Sequence, residues 1–247
     1  MAQPTPKTVC ESLLARLMDH CEHLTQFMSE DDFFARRFLS DVRKLESANF
    51  DEFAVLSMMF YAECGNQGRA IHFANLSFQR NPGWVELIVN IFILGRRLLK
   101  PSVVRQALPC YTEKPCLFTE QTCLEIMTLG FYKQFLSSLE ALKKANKTSL
   151  DMSEGERIAR AMQEIGISEE RSTQIIECVG DVLEKNHLRW HDGAPGYTVQ
   201  SGEVGAWFKV DVSPSRAAEL DAELARVLIA KNLDVEPFFV SFVGTAQ

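Results

Sequence analysis

Hydrophobic residues along the first three-fifths of the chain recur at spacings of three and four, which is the period of an amphipathic α-helix. The first such pattern runs from Val9 to Met28 and predicts one long helix. Similar patterns predict four more helices, at residues 34–45, from 49 or 51 to 65, at 67–80 and at 84–99. The last of these is apolar nearly all round, so we expect it to lie centrally in a helical bundle.

Prolines interrupt the helical pattern after residue 99, at Pro101, Pro109 and Pro115, and predict a looser connection there. Thr119 is a suitable N-cap, and it predicts a further long helix that runs to about residue 145. Gly130 lies inside this predicted helix, where we expect it to weaken the helix without breaking it.

The period changes in the last third of the chain. Two shorter helices are predicted at residues 153–165 and 168–185, each with a serine at its N-cap. Apolar residues then alternate with polar ones up to residue 212, which predicts two strands joined by a turn at residues 201–205. Ser213 and Pro214 predict another helix start. A last strand at residues 238–243 is apolar on both faces, so we expect it to be internal in the sheet or covered.

These elements predict a mainly α protein. The polar stretch from Lys143 to Glu156 lacks helical periodicity at its middle and is the best boundary candidate. We therefore predict a helical domain at residues 1–146, either an antiparallel bundle or a helical-repeat-like fold. A small α+β domain of order α–α–β–β–α–β is predicted at residues 152–247.

One segment carries an aromatic residue, a glycine, two small residues and a proline at the positions Tyr61, Gly65, Ala70, Ser77 and Pro82. Glycine allows the chain to leave a helix, the small residues let two helices approach closely, and proline ends the second helix. In these positions residues 61–82 resemble one repeat of the tetratricopeptide family. The pattern departs from the family at Ser57 and Met58, and no second copy follows at the family's spacing of about 34 residues. The resemblance implies an antiparallel helix hairpin in a scaffold that presents a concave face to a partner.

Composition excludes several classes of protein. The chain has 247 residues, of which 46% are hydrophobic, and its net charge is −7. Extensive disorder is therefore excluded, and the acidic charge disfavours a generally basic nucleic-acid binder. The N-terminus lacks a signal-peptide pattern, and the most apolar run, residues 85–94, is shorter than the roughly 20 residues of a membrane span. With seven scattered cysteines, most of them on apolar helix faces, we expect a reduced cytoplasmic protein without membrane contact.

Metal binding was considered for the histidines and cysteines that lie close in sequence, which are His20, Cys21, His23, Cys110, Cys116 and Cys123. Structural zinc sites favour ligand pairs two to four residues apart, whereas the last three cysteines are separated by six and seven positions. Cys21 also falls on the apolar stripe of its helix, where burial explains it. We predict no metal and no cofactor.

Catalytic motifs are absent from the sequence, which has no nucleophile elbow, HExxH, phosphate loop or GxGxxG. One polar and aromatic cluster resembles a site: His187, Trp190, His191 and Asp192, at a helix-to-strand junction. A solvated turn is the simpler interpretation of this cluster. An enzyme assembled from distant segments, with His187, His191 and His72 as candidates, stays open as an alternative.

Nucleic-acid binding is a second alternative, because two helices followed by a strand pair are compatible with a winged-helix variant. However, the helix that would enter the groove, residues 169–185, carries five acids and two bases. The bases that do cluster in sequence are Arg96, Arg97, Lys100, Arg105, Lys143, Lys144 and Lys147. The first four can oppose the helix dipole while remaining solvated.

We hypothesise a non-enzymatic interaction, scaffold or adaptor protein of the bacterial type that works in a larger cytoplasmic assembly with an unidentified protein partner. Abundant Phe and Met, the repeat-like hairpin and the lack of chemical motifs favour it. Homo-oligomerisation stays open. An interaction protein predicts an exposed apolar patch, an enzyme predicts a pocket with shifted pKa values, and a nucleic-acid binder predicts a continuous basic stripe.

Overall fold

The computed structural model describes residues 9–21, 24, 26–147, 151–190, 195–234 and 237–246. The chain divides into two compact units, Met1–Pro82 and Gly83–Gln247. The helices of the first unit are α1 (Val9–Cys21), α2 (Phe33–Arg43), α3 (Phe50–Glu63) and α4 (Gln67–Arg80). Their buried stripes meet in a core that includes Leu17, Phe38, Leu56 and Phe60.

The first helix is shorter than the sequence pattern predicts. It ends at Cys21, and residues 26–29 are not helical, so a helix extending to Met28 is wrong. The Met28 N–H donates instead to the carbonyl of Glu63 at 3.0 Å, and the Phe27 ring packs at the turn that follows α3. Met28 is therefore buried, and Phe27 partly buried, against the neighbouring hairpin rather than by a continued helix.

Helices α3 and α4 form a hairpin with a three-residue connection. Gly65 in that connection has a φ of +69°, and a Cβ there would lie 2.7 Å from the Phe27 ring, so a glycine is required. The Asn66 side chain caps α4 by accepting from the N–H of Arg69 at 3.2 Å. The hairpin that the sequence predicts is thus present; its kinship with the tetratricopeptide family stays a resemblance.

The second unit contains eight α-helices and three strands within its described residues. In chain order they are α5 (Val85–Leu98), α6 (Pro101–Arg105), α7 (Leu108–Thr112), a 3₁₀ turn (Pro115–Leu117), α8 (Glu120–Thr128), α9 (Tyr132–Lys144), α10 (Ser153–Glu164), α11 (Glu169–Lys185), β1 (Gly196–Gln200), β2 (Glu203–Val210), α12 (Pro214–Ala230) and β3 (Phe238–Gly244). The mainly α class is confirmed, as is the order α–α–β–β–α–β of the last six elements.

Gly130 breaks the long helix predicted for residues 119–145 into α8 and α9. Its φ is +83°, and a Cβ there would lie 3.0 Å from the backbone of Ser172. The Ser172 hydroxyl also donates to the Gly130 carbonyl at 2.7 Å. The close approach of α11 to this corner therefore explains why the expectation of a merely weakened helix is wrong.

The predicted linker separates helices that belong to the same compact unit, because α9 and α10 pack against each other on its two sides. Lys143 near the end of α9 forms an ion pair with Glu156 in α10. Whether residues 1–146 and 152–247 fold independently stays a prediction.

The sheet has the order β1–β2–β3. Strands β1 and β2 are antiparallel and joined by Ser201 and Gly202, whose φ values of 52° and 83° are those of a type I′ turn. Helix α12 then carries the chain over to β3, which is parallel to β2.

The last strand is an edge strand of the described sheet, so the expectation that it is internal is wrong. Its apolar side chains differ in burial between the two faces of the strand. Phe238 and Phe242 are buried against the helices, whereas Phe239 and Val243 on the other face are 47% and 41% exposed.

Candidate functional site

One face of the sheet carries exposed aromatic and aliphatic side chains, and we call it the open sheet face. The strand register places on it Thr198, Trp207, Lys209, Phe239, Ser241 and Val243. The opposite face is part of the core, since Val204, Ala206, Phe208 and Val210 on β2 have no exposed surface. Alternation along one strand therefore gives β2 one side that stabilises the unit and another that is accessible.

Two glycines allow the aromatic rings of the open sheet face to lie across neighbouring strands. A Cβ added at Gly196 would lie 1.8 Å from Nε1 of Trp207, its cross-strand partner. A Cβ added at Gly205 would lie 2.4 Å from Cζ of Phe239. The rings occupy the space that a larger residue would fill, so they form a flat aromatic platform.

The free edge of β3 adjoins this platform and is protected at one point. The Phe242 N–H donates to the Asp221 carboxylate of α12 at 2.7 Å. Burial raises the pKa of Asp221, while this hydrogen bond acts to lower it. A side-chain cap of this kind occupies a main-chain donor that another strand would otherwise use.

The cluster predicted at residues 187–191 falls partly on residues that hold the fold. His187 has a φ of 52° and its N–H bonds to the Glu184 carbonyl at 3.0 Å, so it terminates α11 with an exposed side chain. Trp190 is buried, and its Nε1 donates to the Arg97 carbonyl at 3.2 Å. His191 and Asp192 lie outside the described residues, and the third candidate histidine, His72, belongs to the first compact unit.

Three of the candidate metal ligands, His20, Cys21 and Cys123, have packing roles, whereas Cys116 is exposed. The ring of His20 stacks on Phe34 at 3.7 Å, and Cys21 is buried. No disulfide joins the seven cysteines, all of which lie in the described part of the chain, and burial raises the pKa of Cys123 to about 11. His23 lies outside the described residues, and the described ones contain no group of three or more metal-ligating side chains.

Three of the basic residues between positions 96 and 105 are paired with acids. Arg96 forms a buried ion pair with Glu125, and Lys100 pairs with Asp181 of α11. The expectation that these residues are solvated is wrong for both, because the side chains of Arg96 and Lys100 are only 14% and 9% exposed. Arg105 pairs with Glu170 of α11 at 2.9 Å.

Helix α11, which the nucleic-acid alternative would place in a groove, is an interior helix. Nine of its residues are buried: Ser172, Thr173, Ile175, Ile176, Cys178, Val179, Gly180, Val182 and Leu183. A Cβ at Gly180 would lie 2.5 Å from the Leu99 carbonyl oxygen, so α11 packs directly on the end of α5. Its acids are therefore partners within the same unit for Lys100 and Arg105.

A groove of about 610 Å³ lies between α9 and α10 in the second unit. It contains Glu156, which pairs with both Lys143 and Arg160. Hydrogen bonds from Lys143 and Arg160 hold the pKa of Glu156 below its ordinary value. This carboxylate is therefore shifted away from the range in which it would act as an acid or base near neutral pH.

A surface of the first unit was missed by the sequence analysis. We call it the α2 stripe: Phe33, Arg36, Arg37, Arg43 and Lys44, all exposed along one side of α2. Phe33 is 78% exposed. Spacings of three, four and seven in the sequence FFARRFLSDVRK already indicate this exposed side, which was overlooked beside the buried stripe of the same helix.

Comparisons with protein-family profiles, curated proteins and solved structures found no match to this chain. Among the described helices, none combines the length and the apolar character that crossing a membrane would require.

Proposed function

We propose that the chain is a non-enzymatic interaction protein that binds a partner protein through the open sheet face. The observation that carries the proposal is the aromatic platform, in which Trp207 and Phe239 lie over glycines and Val243 extends the apolar surface. Aromatic side chains held in one orientation contribute large contact area at low entropic cost, and they dominate binding energy at protein interfaces.

The composition of the platform favours a protein partner over a polyanion. Its described members include one cation, Lys209, and Glu203 lies on the same face of β2. A nucleic-acid surface would require a basic groove around the aromatic rings. The partner we propose lays apolar side chains against the platform, with main-chain contacts to the free edge of β3 as a further contribution.

The resemblance of residues 61–82 to a tetratricopeptide repeat is consistent with a scaffold role and forms part of the proposal. A cytoplasmic location is included in the proposal, and a chain of seven cysteines that forms no disulfide is consistent with it. The enzyme alternative has less support, since His187 and Trp190 occupy structural positions.

The test compares partner retention by matched surface variants. Tagged protein is purified from its native cells, and bound proteins are quantified by mass spectrometry. We expect the wild-type protein to retain a stoichiometric partner. The double variant Phe239→Thr/Val243→Thr should retain at least about tenfold less of it, because loss of an aromatic anchor lowers affinity by that much. Ile229→Ser is the matched control: it removes an apolar side chain that is 59% exposed on α12, and should retain the partner.

Two results would contradict the proposal. One is recovery of the wild-type protein alone and as a monomer. The other is equal retention of the partner by the sheet variant and the Ile229→Ser control. Recovery of a homodimer that the sheet variant dissociates would identify a second copy of the chain as the partner.

A further inference from the structure

The α2 stripe joins an exposed aromatic ring to a row of cations. Phe33, Arg36, Arg37 and Arg43 follow one another at the spacing that keeps side chains on the same side of a helix. All four are exposed. The opposite side of α2 is apolar and buried through Ala35, Phe38 and Val42, so the stripe has no role in the core.

A cleft of about 250 Å³ lies at the N-terminal end of the stripe, lined by Arg16, Phe33, Phe34 and Arg37. Its aromatic floor is fixed from below, since Phe34 stacks on His20 at 3.7 Å and on Phe38 at 6.0 Å. The cleft therefore offers a preformed apolar surface between two guanidinium groups.

The charges of the stripe are only partly balanced. Asp41 accepts from Arg16 at 2.9 Å and from Lys44 at 2.8 Å. Across the described part of the chain, the guanidinium groups of Arg36, Arg37 and Arg43 form no ion pair or hydrogen bond with another side chain.

The positions of Arg36 and Arg37 do not favour the helix either. The first turn of α2 contains no acid, and both arginines lie in the N-terminal half, where the helix dipole disfavours positive charge. Arg43 differs, because it lies in the last turn, where positive charge is favourable. Neither core packing nor helix stability therefore accounts for Arg36 and Arg37.

We propose that the cleft and the α2 stripe bind a short acidic segment of a partner protein that carries an aromatic or large aliphatic side chain. Arginine pairs with carboxylates through two parallel hydrogen bonds, and the Phe33–Phe34 floor accepts the apolar side chain. The apolar group occupies the cleft and the carboxylates follow toward Arg43.

Local charge also favours an acidic peptide over two other occupants of the stripe, a nucleic acid and the chain's own residues 1–8. Asp31 and Asp32 are exposed immediately before Phe33, where they would repel a long polyanion such as a nucleic acid. Residues 1–8 of the chain itself carry one lysine and no acid, so their charge does not complement the stripe.

Fluorescence anisotropy with synthetic peptides tests the proposal on the full chain. The probe is a labelled peptide set in which a single Phe lies at one end of a run of Asp and Glu; matched peptides replace the acids by Asn and Gln, or Phe by Ala. We expect saturable binding of the acidic peptides that weakens at high salt. Arg37→Glu and Phe33→Ser should each weaken it at least about tenfold.

Arg226→Glu is the matched control, because it changes the net charge by the same amount at an exposed position of α12. The proposal is overturned if wild-type protein binds no acidic peptide saturably up to about 1 mM, or if Arg226→Glu weakens binding as much as Arg37→Glu. Tighter binding of a single-stranded oligonucleotide, abolished by Arg37→Glu, would overturn it in favour of a nucleic acid.

This proposal and the one for the sheet fail separately. The peptide cleft belongs to the first compact unit, whereas the open sheet face belongs to the second. Phe239→Thr/Val243→Thr should therefore leave peptide binding unchanged, whatever its effect on the partner of the sheet.

Discussion

Two groups of basic residues look alike in the sequence and differ in the structure. Both follow or occupy a helix, at residues 36–44 and 96–105, and both interrupt apolar segments. In the second group Arg96, Lys100 and Arg105 each pair with an acid. In the first group most of the cations face solvent without a partner in the described part of the chain.

The difference shows that pairing, rather than the number of charges, separates a structural cation from one available for a partner. The acids of α11 count against a nucleic-acid role when read as surface charge. In the structure they neutralise bases inside their own unit, as in the contact of Lys100 with Asp181 and, at 3.3 Å, with Glu184.

The largest effect is expected from removing the buried cation Arg96. Arg96→Met leaves the carboxylate of Glu125, 1% exposed, without that guanidinium. Because breaking a buried pair leaves a buried charge, we expect the free energy of unfolding to fall by about 3 kcal/mol. Urea denaturation followed by circular dichroism measures this change.

The control for Arg96→Met is the double variant Arg96→Met/Glu125→Met, in which both charges are replaced by apolar side chains. Such replacements are often neutral, so most of the lost stability should return. Equal destabilisation by the single and double variants would assign the loss to packing of the Arg96 side chain instead.

A smaller effect is expected at Lys100. Its side chain is 9% exposed, but its partners Asp181 and Glu184 are 37% and 43% exposed, so solvent screens the remaining charges. We expect Lys100→Met to lower the free energy of unfolding by about 1–2 kcal/mol. A matched Arg43→Met substitution in the α2 stripe should change it by less than about 0.5 kcal/mol.

The ion pairs of Asp41, the carboxylate of α2, should make stability depend on pH in the acid range. Hydrogen bonds from Lys44 and Arg16 lower the pKa of Asp41 to about 2 from its ordinary 3.8. Because the folded chain binds this proton more weakly than the unfolded chain, the contribution is complete above about pH 4 and is lost as pH falls toward 2. The urea concentration at the midpoint of unfolding should fall over that pH range. It should fall less for Asp41→Asn than for the wild-type protein.

Much of the fold could be predicted from periodicity, because burial imposes the period directly. Helix α4 has the predicted bounds, and the change from helices to strands falls where predicted. The errors arose where distant contacts decide. Gly130 breaks a helix because α11 approaches it, and Met28 leaves α1 because the Glu63 carbonyl binds its N–H.

The candidate surfaces were harder to predict for the same reason. An apolar residue gives the same signal whether it is buried, like Phe242, or exposed, like Phe239 three positions earlier. A sequence also does not reveal which arginine has an acid beside it. Arg96 could be distinguished from Arg36 only after the segments carrying their neighbours were placed together.

The smallest effect on stability is expected for Arg36 and Arg37 of the α2 stripe. Arg36→Glu/Arg37→Glu removes positive charge from the N-terminal half of α2 and places negative charge there, which the helix dipole favours. We expect the free energy of unfolding, measured by thermal denaturation, to rise by no more than a few tenths of a kcal/mol. The same variant should lose binding of the acidic peptides. A marked loss of stability would instead show that these arginines, like Arg96, serve the fold, and the two groups of basic residues would then no longer differ in role.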